Sequence, residues 1–273
     1  MNDNFSELKE RILASARIAE ACREQYSRAY SSETAEELMT VVRDNFHWCV
    51  ANKVLTVSLI EEYRDLFTEH GIHCNESVDS GYLLVDNATV QASDNATVRA
   101  WGNATVQASD NATVEAWGNA TVQASDNATV EAWGGATVQA SGSATVQASD
   151  NATVRACGNA TVQASDNATV EAWGSATVRA WDSATVRAWG SATVEACDSA
   201  TVRAWGSATV QASGNATVEA CDSATVEASG SAYVTSYSTI ECSLSDKAIY
   251  RIRETNTIRF VSEKLKFEKI YEN

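Results

Sequence analysis

The chain has 273 residues, and none of its apolar runs comes near the ~18 residues a membrane-crossing helix needs. The opening Met1-Asn2-Asp3-Asn4-Phe5-Ser6-Glu7 lacks a basic region followed by an apolar one, so no secretory signal is expected. A cytoplasmic location follows as the expectation, with virion association or specialised export left open. The sequence contains no nucleophile motif, no phosphate-cradling glycine loop and no paired carboxylates beyond those its own repetition generates. These absences point away from an enzyme, and neither a cofactor nor a metal is expected. Its seven cysteines are odd in number and lack paired spacing, which suits free thiols in a reducing compartment. Basic residues are scarce: 20 Lys and Arg stand against 36 Asp and Glu, a net charge of −16. Phosphates would repel such a chain, so neither direct nucleic-acid binding nor attachment to an anionic membrane is expected. A basic protein partner remains compatible with that charge.

What is present is repetition. Residues 86–237 are nineteen uninterrupted copies of one octapeptide phrase, roughly [Asp/Gly]-[Asn/Ser]-Ala-Thr-Val-x-Ala-[Ser/Trp/Cys]. One copy cannot bury a core, so neighbours must stack into a solenoid. In Asp110-Asn111-Ala112-Thr113-Val114-Glu115-Ala116-Trp117, the stretch Ala112–Ala116 alternates as a strand with one buried face. Turning Thr113 and Glu115 inward would stack unpaired charges in the core at several kcal/mol per layer. Ala112, Val114 and Ala116 must therefore point in, while Trp117, Gly118 and Asn119 make the corner. The recurrent Asn-Ala-Thr, formally a glycosylation acceptor, reads as turn chemistry.

Such a small interior suits two closely packed sheets better than a triangular barrel. From Asp94 to Trp133 two octapeptide types alternate, giving a 16-residue coil of two strands and two corners. A 24-residue coil would scramble the columns and ranks second. The alternation slips at 134–149 and again at 206–221, which is harmless only if the two sides of the coil are equivalent. The slip also predicts that the tryptophan column changes edges. The fold class is thus mainly β: a two-sided parallel β-solenoid with a small N-terminal helical domain and a C-terminal cap.

Three zones result. Residues 1–77 form a helical head, 78–261 the solenoid (degenerate over 238–261), and 262–273 a capping segment. In the degenerate copies the inward positions become Ile240, Cys242 and Leu244, then Ala248, Tyr250 and Ile252, then Asn256, Ile258 and Phe260. Twenty-two copies make eleven coils, or about 53 Å at the usual strand spacing. The head reads as three helices. The first covers about 5–30, with a stripe of Phe5, Leu8, Ile12, Ala19, Cys22, Tyr26 and Tyr30. The second covers about 35–52 and opens on Thr34-Ala35-Glu36-Glu37; the third opens on Ser58-Leu59-Ile60-Glu61 and closes at Gly71. The head is expected to dock on the first coil, and its long first helix could also carry a homodimer contact.

Candidate binding residues lie on the exposed columns. They are Trp101, Trp117, Trp133, Trp173, Trp181, Trp189 and Trp205; Thr113 and Thr129; and Glu115, Glu131 and Glu171. The indoles could meet a sugar, another copy or a partner. The plainer alternative is that each shields its corner, since Cys157, Cys197, Cys221 and Ser occupy the same slot. His70-x-x-His73-Cys74 with Cys49 offers zinc-type ligands, but its spacing matches no standard module, and solvent-facing histidines beside a buried Cys49 are preferred.

The 16-residue coil is similar in period to bacterial ice-nucleation repeats, and the Thr files resemble those of ice-binding solenoids. That likeness implies an ice-facing surface, although here the second outward column is Gln, Glu or Arg. The acidic surface, with Arg99, Arg155, Arg179, Arg187 and Arg203 interrupting it, resembles DNA-mimicking pentapeptide-repeat proteins, which implies inhibition of a nucleic-acid-binding enzyme. Around Glu36-Glu37-Leu38 and His47-Trp48-Cys49 the head resembles uncharacterised bacterial proteins linked to phages and mobile elements, and that likeness implies no function. The leading expectation is a non-enzymatic β-solenoid that binds protein or itself. The DNA mimic is the first alternative and ice binding the second, with a solenoid glycan lyase below them.

Overall fold

A computed structural model describes residues 2–261. It divides into two compact units, Met1–Val122 and Gln123–Asn273. Strands alternate along the chain between two sheets of twelve, as a two-strand coil requires. The strands from β2 (Tyr82–Asp86) to β23 (Ile249–Ile252) run parallel at two per turn, giving about eleven turns with a period of sixteen residues. Among the described residues no helix is long and apolar enough to cross a membrane.

The first unit opens with six helices: α1 (Asn2–Ile18), α2 (Arg23–Ser31), α3 (Ala35–Asp44), α4 (Phe46–Ala51), α5 (Val57–Glu62) and α6 (Arg64–Glu69). Each of the three helices expected from periodicity is therefore broken in two. The first breaks around Glu20, whose φ of 57° cannot continue a right-handed helix. In consequence the expected stripe holds only in part beyond Ile12: Ala19 and Tyr26 still pack half-buried against the cluster, whereas Cys22 and Tyr30 are exposed and Ala16 and Ala29 take the fully buried positions. The second breaks at Asn45, whose side-chain amide donates to the Val41 carbonyl at 2.8 Å. The third breaks at Tyr63. Thr34 caps α3 as expected, accepting from the Glu37 N–H at 3.2 Å, while the Glu37 carboxylate reaches back to the Glu33 N–H at 2.7 Å. For α5 the cap is Thr56, which accepts from the Leu59 N–H at 3.2 Å, and not Ser58. Leu8, Leu38, Met39, Ile60 and Phe67 fill the centre of this helical cluster.

Four strands follow in one sheet of this unit: β1 (Ile72–Cys74), β2 (Tyr82–Asp86), β4 (Thr97–Trp101) and β6 (Thr113–Ala116). The other sheet holds β3 (Thr89–Ala92) and β5 (Thr105–Ala108). The head docks on this sheet as expected, for Phe46 of α4 meets Tyr82 of β2 with ring centroids 5.0 Å apart. Trp101 packs against the same helical cluster.

In the second unit, four-residue Thr-Val-x-Ala strands recur every eight residues from Thr129–Ala132 (β8) to Thr225–Ala228 (β20). Each pairs with the strand sixteen residues away, Thr on Thr and Val on Val, and both slips leave this register intact. Sixteen residues per coil is thus the observed period. The inward Ala and Val columns are completely buried, as their alternation required. The first alanine of each copy sits in the corner and not in the strand, where its N–H closes a four-residue turn; Ala152 donates to the Ser149 carbonyl at 3.1 Å. The Asp or Gly after the Ser, Trp or Cys takes positive φ in every such corner, for example Asp150 at 56° and Gly190 at 70°. This shared requirement explains why only those two residues alternate in that column.

The C-terminal turns depart from the expectation in part. Ile240, Ala248, Tyr250 and Ile252 are buried, and the Tyr250 hydroxyl meets Ser236 Oγ at 2.7 Å and accepts the Ile240 N–H at 3.0 Å. Cys242 and Leu244 are only half-buried. The last expected copy is not a coil at all. Strand β24 (Thr257–Phe260) runs antiparallel to β23 (Ile249–Ile252), and Asn256, Ile258 and Phe260 are exposed. Eleven turns result nonetheless, because β2 supplies the parallel strand that this copy does not. The expected cap at 262–273 lies outside the described residues.

Candidate functional site

Every side chain named from the sequence lies on a corner or on an outward sheet column, and the structure sorts these columns by neighbour. In the first unit, Arg99 is an outward residue of β4 yet only 1% exposed, with His47 of α4, Glu115 and Trp117 set against it. Its guanidinium meets the Glu115 carboxylate and His47 and lies 4.8 Å from the Trp117 ring centroid. Trp101 and Trp117 are stacked with centroids 4.6 Å apart and planes inclined by 14°. Glu115 and Trp117, read from the sequence as surface positions, belong instead to the seat of the head; Thr113 beside them is half-exposed. An Arg–carboxylate pair with an aromatic over the cation is a fixing contact.

The second unit holds an indole ladder. Trp173, Trp189 and Trp205 stack with centroids 5.1 and 5.0 Å apart and planes within 9°. The backbone sets this spacing: Trp189 N–H donates to the Ala172 carbonyl and Trp205 N–H to the Ala188 carbonyl, both at 2.9 Å. Cys157 and Cys221 occupy the same column one layer beyond each end. Trp133 and Trp181 follow strands of the other sheet (β8 and β14, Thr177–Ala180), so the tryptophans do change edges, as the slips implied. All five are half-buried. Where serine takes the slot before aspartate, its hydroxyl bonds to the Asp carboxylate in the Ser125–Asp126 and Ser165–Asp166 corners, at 3.0 and 3.3 Å. The Asp carboxylates also bind the layer before them, as Asp150 and Asp222 do in accepting from the Gly134 and Gly206 N–H groups at 3.1 Å.

One pattern in the outward x column went unread in the sequence. Arg155 and Arg187 both bridge Glu171, at 3.2 and 3.3 Å; Arg179 bridges Glu195 at 3.0 Å; Arg203 bridges Glu219 at 3.2 Å, which Arg253, from a corner position outside this column, also meets at 2.9 Å. The arginines therefore neutralise the glutamate ladder and do not merely interrupt it. The signal was available: Arg155, Arg179 and Arg203 are 24 residues apart, as are Glu171, Glu195 and Glu219. A 24-residue coil would stack like charges, whereas sixteen residues sets each Arg on a Glu. Glu131 pairs in register with Gln147, and Thr129 with Thr145.

The zinc-type residues are engaged separately. His70 Nδ1 lies 2.7 Å from the Leu66 carbonyl with Nε2 3.4 Å from Glu36, and His73 lies 2.7 Å from Glu76. Both histidines are largely covered, at 11% and 18% side-chain exposure, which corrects their expected solvent-facing placement. Arg43, bonded to Glu36 at 2.8 Å, holds that carboxyl below the usual range. Burial raises the Cys49 thiol to about 12 and that of Cys242 to about 11. All seven cysteines are free thiols, Cys157 being exposed and Cys197 and Cys221 half-exposed. No family model, no curated protein and no solved structure matches the chain.

Proposed function

We propose that the protein is a non-enzymatic structural or interaction protein, a rigid β-solenoid whose repeated surface columns bind protein, whether a second copy or another chain. The observation that carries this reading is the Trp173–Trp189–Trp205 ladder. Serine fills the same slot at Ser149 and Ser165 and the backbone there is unchanged, so an indole is not needed to build a corner. Three half-buried indoles in a row give an apolar strip of the kind enriched at protein interfaces. Within the ladder the ring faces cover one another and mainly edges remain, which suits a protein surface better than a sugar that needs an open face. Free thiols agree with a cytoplasmic setting.

The acidic DNA-mimic reading is weaker, since the Arg–Glu bridges leave it chiefly the Asp150, Asp166, Asp182 and Asp198 file, and some of those carboxylates are engaged within the corners. Ice binding is weaker too, because Arg–Glu pairs occupy the column beside each Thr file. The test is the triple variant Trp173→Ser, Trp189→Ser, Trp205→Ser in the full chain, read by circular dichroism and by co-purification. Unchanged β-structure with lost association supports the proposal; unchanged association overturns it.

A further inference from the structure

The corner column around the ladder reads Cys157, Trp173, Trp189, Trp205, Cys221, which is the same in both directions about Trp189. The outward column two residues earlier reads Arg155, Glu171, Arg187, Arg203, Glu219. Reversed about Arg187, it sets Arg155 opposite Glu219 and Glu171 opposite Arg203. We propose that a second copy of this chain packs along this edge, antiparallel, with a two-fold axis at Trp189. The inference rests on the reading of the ladder as a protein-binding strip, and it names the occupant and register.

The geometry favours this arrangement over its neighbours. A two-fold axis along the sheet normal lays the same sheet of both copies side by side and reverses their directions. Each tryptophan then meets a tryptophan, and each cysteine a cysteine. Four of the five outward positions face an opposite charge, and only Arg187 meets itself. A shift of one coil would set Arg155 against Arg203 and Cys157 against Trp205. In a parallel pairing the sheets change places across the seam, so the charged column faces the Thr and Asn/Ser columns of the other sheet and the complementarity is lost. Five layers make a seam about 24 Å long. That lies at the small end of specific interfaces, so affinity on the order of micromolar is expected.

The test uses the full chain carrying Cys22→Ser, Cys197→Ser and Cys242→Ser, which leaves Cys157 and Cys221 on the edge while Cys49 and Cys74 are buried. Isotope-labelled and unlabelled protein are mixed, treated with a short bis-maleimide and mapped by mass spectrometry. Within one chain the two cysteines are four layers apart, about 19 Å, beyond a short linker. The expected product is a mixed-isotope Cys157–Cys221 link. In sedimentation, Trp189→Lys should weaken the dimer at least tenfold while Trp181→Lys, on the other edge, leaves it unchanged. Links of Cys157 to Cys157 and Cys221 to Cys221, or a monomer at 100 times the expected dissociation constant, would overturn the proposal. A monomer that still loses another partner in the triple serine variant would spare the protein-binding reading and sink only this one.

Discussion

In the helical segment of the first unit no two core side chains do the same job, whereas in the coils of the second nearly every core side chain has a copy sixteen residues away. Leu8, Met39 and Phe67 differ in shape, and each fills one place; Val170, Val178 and Val186 are interchangeable. The first kind of core concentrates stability in a few large residues and specifies a single packing. The second spreads it over small equal increments between neighbouring coils, as in other one-dimensional repeats. Helix breaks belong to the first kind and tolerated phase slips to the second.

Substitution should break that contrast open. Phe67→Ala removes a completely buried ring and is expected to cost about 3–5 kcal/mol, read as lost hydrogen-exchange protection over α3, α5 and α6. Val178→Ala removes two methyl groups and should cost about 1.5–2 kcal/mol at about 0.8 for each, with lost protection confined to adjacent coils. Equal and global losses from both would erase the distinction. Thiol chemistry gives a second handle. Burial pushes the Cys49 thiol up to about 12, so at pH 8 Cys49 should label with a maleimide at least a hundredfold more slowly than exposed Cys157. Comparable rates would show that the helical core opens as readily as a corner. The smallest effect concerns the charged column. Glu171→Lys sets four cations in consecutive layers, from Arg155 to Arg203, and should cost about 0.5–1 kcal/mol, while adding Arg155→Glu should restore about half of it in thermal melts, since Arg187 still faces a cation.

How much the sequence disclosed follows the same divide. The inward Ala112, Val114 and Ala116, the two-sided coil and the change of edge by the tryptophans were legible, because one local solution repeated nineteen times leaves few alternatives. The breaks at Glu20, Asn45 and Tyr63 were not, since an apolar stripe reads through a local kink that tertiary packing decides. Thr56 and Ser58 both fit a cap by composition, and only the chain path chose between them. The reversal at β24 was hidden because Thr257–Phe260 keeps the octapeptide phase while changing direction. At the candidate site the ladder was legible as a column, and its stacking followed from the register. The burial of Arg99 against Glu115 and His47 depended on a long-range contact that no local pattern announces. The Arg–Glu bridges were written in the spacing and went unread.

The central claim, a coil of sixteen residues, is tested most directly by pyrene placed on paired threonines in a chain with Cys22, Cys157, Cys197, Cys221 and Cys242 changed to serine. Labels at Thr177→Cys and Thr193→Cys sit on neighbouring strands in register and should give excimer emission, whereas labels at Thr177→Cys and Thr201→Cys sit on different sheets and should give monomer emission alone. Excimer emission from the 24-residue pair and none from the 16-residue pair would contradict the account.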